Sequence, residues 1–130
     1  MVRTREIDRQ AYSIYKQKAE QAYLAMNLAL ENNLWAPAGR EAVFACINIC
    51  DALLAKHKRL RNISKDHMDV VKIVSTVLPM RDSKNQANKL RRVISMKNLV
   101  DYENKVFTQK QANEIYFTAD RFYKWGMSHL

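Results

Sequence analysis

Two glycines and two prolines are all that this 130-residue chain contains, where average usage supplies roughly nine and six. A β-rich chain needs turn residues at about every eight to twelve positions, and this one cannot provide them. The expected class is therefore all-α. With apolar residues at 48%, disorder is excluded. The length suits one domain over residues 1–130, large enough to bury a core without disulfide or metal staples.

Apolar periodicity predicts five helices. The first runs from about Asp8, as N-cap, to about Asn32, with Ala11, Ile14, Tyr15, Ala19, Ala22, Tyr23, Met26 and Leu30 recurring at threes and fours. Pro37 fits the first turn of the second helix, where a missing N–H costs nothing, and that helix should reach about Lys58. Between Ala42 and Ala55 it is apolar almost all round, the pattern of a central, buried helix. Its two polar residues, Asn48 and Asp51, are three apart and share a face. Ser64 is the expected cap of the third helix, with Met68, Val71, Val74 and Leu78 as its stripe and Pro79 as its stop. The fourth runs from about Ser83 to Tyr102. Thr108 caps the fifth, whose stripe includes Ala112, Ile115, Tyr116, Ala119, Phe122 and Tyr123. Long helices joined by short links make an up-and-down bundle of about five helices.

No apolar run approaches the roughly 18 residues of a membrane span, and the N-terminal residues do not resemble a signal peptide. Cys46 and Cys50 lie one helical turn apart, where side-chain geometry disfavours a disulfide; free buried thiols and a cytoplasmic location are expected. No metal or cofactor is indicated. The net charge is +9, concentrated at Lys56, Lys58, Arg59 and Arg61 and again at Lys84, Lys89, Arg91, Arg92 and Lys97. Such clusters fit a phosphate-bearing partner, RNA included, or simply solvated helix faces. The aromatic residues Trp35, Tyr116, Phe117, Phe122, Tyr123 and Trp125 exceed what a bundle of this size readily hides, which predicts a homodimer.

Three stretches resemble the HEPN superfamily of small helical bundles, in a compact bacterial branch. They are Ala42 to Ala52 followed by Ser64-Lys65-Asp66-His67, then Met96 to Glu103, and finally Phe107-Thr108 with Ala112, Ala119-Asp120-Arg121-Phe122 and Trp125. The resemblance implies a homodimeric domain linked to RNA processing, host defence or toxin–antitoxin pairs. An alternative reading is a non-catalytic protein-interaction module, such as the partner of a nucleotidyltransferase in a toxin–antitoxin pair. Active members are metal-independent endoribonucleases that carry an arginine, four to six residues and a histidine, and Arg61 to His67 matches that spacing. Histidine near its usual pKa moves the proton of a ribose hydroxyl or of the leaving oxygen, and arginine steadies charge on the phosphate. In active members the motif usually belongs to the later helix, where this chain has Lys97 and Tyr102.

Arg61, His67 and Asp51 are thus the candidate catalytic residues, with Asp51 orienting the histidine across the junction of the second and third helices. The competing reading is structural. Asp51 is then a core carboxylate held by His67, Asn48 or a basic residue, since an isolated buried carboxylate is costly. Lys58, Arg59, Arg91, Arg92 and Lys97 are the candidate nucleic-acid contacts.

Overall fold

The computed structural model describes residues 2–102 and 106–130, with Val100 and Tyr102 described in backbone alone. Residues 103–105, including Glu103 of the second HEPN-like stretch, lie outside the described residues. The fold is an all-α bundle of five helices: α1 Tyr12–Glu31, α2 Trp35–Lys58, α3 Met68–Thr76, α4 Ser83–Tyr102 and α5 Gln109–Ser128. Two three-residue strands accompany them, β1 Thr4–Glu6 and β2 Leu60–Asn62, paired antiparallel with Arg5 opposite Arg61. None of the described helices is long and apolar enough to cross a membrane.

The central helix is α2. It packs on α1 and α5, α3 packs mainly on α4, and α4 on α5. Cys46, Ile49, Leu53 and Leu54 on α2 are fully buried, and each large apolar side chain so placed contributes roughly 1.5–3 kcal/mol. Both cysteines are free, and burial pushes their thiols well above the usual range.

Neither glycine serves a turn. Gly39 and Gly126 both lie inside helices at close approaches. A Cβ at Gly39 would come 3.0 Å from the Phe107 ring, and one at Gly126 would come 2.1 Å from Ile49 Cγ2. The left-handed positions are taken by Asn33, in the α1–α2 link, and by Arg59, which ends α2 with φ of 54°. Asparagine tolerates that conformation and arginine does so at some cost.

Several local expectations shift. Asp8 caps a 3₁₀ turn, Arg9–Ala11, that leads into α1. Helix α2 starts at Trp35, so Pro37 is its third residue, still within the first four N–H groups that lack intrahelical acceptors. Ser64 does not cap α3: its hydroxyl accepts from the Arg3 amide at 2.6 Å, and the Asp66 carboxylate accepts from the Met68 amide instead. Ile14, expected on the buried stripe, is exposed, as is Phe117. Thr108 does cap α5, in a reciprocal box with Gln111.

Candidate functional site: a cationic cleft between α4 and α5

The proposed catalytic trio is only partly assembled. Asp51 lies half-buried on α2, and the charges acting on it are Arg61 and Lys18. Burial pushes its carboxyl up to about 6, and the two cations oppose that rise without cancelling it. Arg61 is carried by β2 and lies over the Tyr15 ring, 5.6 Å from its centroid. His67 stands exposed immediately before α3; its carbonyl accepts from the Val70 amide, but its imidazole makes no hydrogen bond or ion pair among the described residues. The expected Asp51–His67 pair is therefore not formed. The reason is the β1–β2 ribbon, which leads the chain away from α2 in extended form and brings the charge of Arg61, not that of His67, to bear on the carboxylate. Nor does Asn48 hold Asp51, since its amide donates to the Phe44 carbonyl one turn back. On α4, Lys97 is bound to Asp101 at 2.5 Å; the Tyr102 side chain lies outside those described.

The basic candidates separate into two groups. Lys58 and Arg59 are exposed at the end of α2, which is fastened to the end of α5 by Lys56, donating to the Leu130 carbonyl, and by His57 Nε2, 3.0 Å from the His129 carbonyl. Arg92 lies elsewhere. It lines a cleft of about 680 Å³ between α4 and the first half of α5, together with Met96, Lys110, Asn113, Glu114 and Phe117. From Asn113 to His129 the rise along α5 is about 24 Å, so the two groups do not form one surface. Arg91, adjacent to Arg92 in sequence, turns to another face of α4 and donates to Asn88 at 3.2 Å.

The helical register builds this cleft. Arg92, Met96 and Leu99 recur at four and three along α4, and Lys110, Glu114, Phe117 and Arg121 do so along α5, each set forming one stripe. The opposite faces go to the core through Leu90, Val93 and Ile94 on α4 and Ile115, Ala119 and Phe122 on α5. Phe117 is 58% exposed, and the Arg121 guanidinium lies 4.1 Å from its ring centroid. Lys110 and Phe117 were legible in the sequence as a cation and an aromatic seven residues apart, but nothing there identified α4 as the facing wall.

A second groove, of about 570 Å³, lies between α1 and α2. Lys18 stands in its wall at one end and Glu41 and Phe44 on the α2 side, and Phe44 is 52% exposed. On the far side of α1, the Tyr23 hydroxyl donates to Asp120 and its ring stacks on Tyr123 at 4.1 Å. Burial and then the Asp120 carboxylate push the Tyr23 phenol up. This pair cements α1 to α5.

Compared with protein-family models, curated proteins and solved structures, the chain matches none.

Proposed function

We propose that this chain is a HEPN-like, dimeric nucleic-acid-binding domain, with the α4–α5 cleft as its binding surface and RNA the expected ligand. The observation that carries the reading is the gathering of Arg92 and Lys110 around an exposed aromatic ring in one cleft. Exposed cations beside an unburied ring are the pairing that holds phosphates and bases together. A volume of about 680 Å³ lies in the range of small-ligand sites, roughly 300–1,000 Å³. Metal-independent RNA cleavage by Arg61 and His67 has less support, because the exposed His67 is not among the groups acting on Asp51, which are Arg61 and Lys18.

The test is fluorescence anisotropy with a labelled single-stranded oligoribonucleotide at low salt. Binding should weaken steeply as salt rises, because each neutralised phosphate releases counterions. Arg92→Glu with Lys110→Glu should reduce affinity by at least about tenfold, as contacts to two phosphates are reversed. The same reversal at Lys58 and Arg59, at the far end of α5, should matter much less. No binding by the wild-type chain at about 50 mM salt sinks the reading.

One observation favours an interaction module instead, such as the partner of a nucleotidyltransferase. Leu24, Leu28 and Phe44 leave an exposed apolar face on the α1–α2 hairpin, a surface suited to protein docking. Retained binding of a protein partner by a chain that ignores RNA would support it.

A further inference from the structure

Resting on that reading, we propose that the α4–α5 cleft takes single-stranded nucleic acid, with one unpaired base stacked on Phe117 and adjacent phosphates on Arg92 and Lys110. Three features point to a base rather than to a bare polyanion. The first is the ring. Phe117 contributes to the cleft wall although it is 58% exposed, and Arg121 covers it from outside the lining at 4.1 Å. The ring thus has a guanidinium against it and belongs to the cleft wall, which limits its freedom before any ligand arrives.

The second feature is Glu114. A carboxylate among the cations repels phosphate, and it is out of place in a pure polyanion site. It suits a nucleobase, whose exocyclic amino groups and ring N–H groups donate to it, while Asn113 offers both a donor and an acceptor. The third feature is spacing. Lys110 and Phe117 are seven residues apart on one face of α5, about 10 Å along the axis, and Arg92 faces them from α4. Cations flanking a ring at that reach follow a short run of nucleotides with a base turned inward. A duplex keeps its base faces stacked on one another and would have to be opened to use the ring, at a cost of a few kcal/mol. Unpaired strands bear no such cost.

The experiment compares single-stranded oligoadenylate, as RNA and as DNA, with a blunt duplex of equal length and with heparin, by anisotropy or by competition. Wild-type, Phe117→Leu, Phe117→Tyr and Glu114→Gln proteins are used, each checked for folding by circular dichroism. Both single strands should bind at least about tenfold tighter than duplex. Phe117→Leu should lose about tenfold, in keeping with the worth of a stacked base, and Phe117→Tyr should keep the affinity. Glu114→Gln should strengthen heparin binding more than oligoadenylate binding. RNA preferred over DNA, or the reverse, supports the proposal equally and identifies the source. Duplex or heparin binding as tightly as single strands, or Phe117→Leu leaving affinity unchanged while the Arg92 and Lys110 reversal removes it, overturns the stacking proposal and leaves nucleic-acid binding standing. Failure of every ligand to bind brings down both.

Discussion

Asp51 is a carboxyl placed where water is scarce and its hydrogen-bonding capacity is unused among the described residues. Its pKa is raised from 3.8 to about 6, burial being the main cause. A carboxyl whose folded pKa exceeds its unfolded value binds its proton more tightly when folded, so the folded state is favoured below both values and loses stability as pH rises through the window from about 4 to about 6. Asp51→Asn removes the ionisation. It should stabilise the chain at neutral pH by on the order of 2 kcal/mol and flatten the stability profile across that window. Urea midpoints at about pH 4 and about pH 7 check this; a wild-type midpoint unchanged between them, with the variant tracking it, refutes the desolvated carboxylate. The polar oddity on α2 was visible in sequence. Arg61 was already a candidate beside it, but the arginine–histidine spacing drew attention to His67, and the three-residue strand that carries Arg61 left no local trace.

At the scale of elements, all five helices were legible, because each presents an apolar stripe of helical period and most have recognisable ends. The two strands were not. Thr4–Glu6 and Leu60–Asn62 are too short and too charged to show alternation, and their pairing across the α1–α2 hairpin leaves no local trace. The role of the glycines was equally hidden. A glycine inside a helix reads as a weak point, whereas Gly126 is where α5 comes against Ile49 of α2. Gly126→Ala should therefore destabilise by about 1–3 kcal/mol despite alanine's better helix propensity. Adding Ile49→Leu, which removes the β-branch methyl the new Cβ would strike, should restore part of the loss. Thermal or denaturant melts of the single and double variants decide; a more stable Gly126→Ala chain would show that the helices can move apart freely.

For the whole molecule, the aromatic surplus predicted from sequence resolves unevenly. Phe122 is fully buried, and Tyr23 with Tyr123 joins two helices, yet Phe44 and Phe117 remain outside. They lie in separate grooves, one on α1–α2 and one on α4–α5, so the proposed self-association and the proposed nucleic-acid binding need not compete. A two-fold pairing of α1–α2 hairpins brings the Lys18 end of one groove to the Glu41 end of the other, so the charges complement. Phe44→Glu should convert a dimer at tens of micromolar into a monomer in sedimentation equilibrium, with nucleic-acid binding per chain retained at the cleft. A wild-type monomer at that concentration refutes the pairing.

The ribbon that sets residue 4 beside residue 62 is also a clasp on the order of folding. It closes a loop containing all of α1 and α2, so its ends meet only at an entropic cost that an already formed hairpin greatly reduces. A clasp of this kind shuts late and opens early. The amides of Ile7 and Ile63, bonded to the Arg59 and Arg3 carbonyls, should exchange with solvent through openings far smaller than global unfolding. Arg61 rides on that ribbon, so its electrostatic influence on Asp51 lasts only while the clasp is shut.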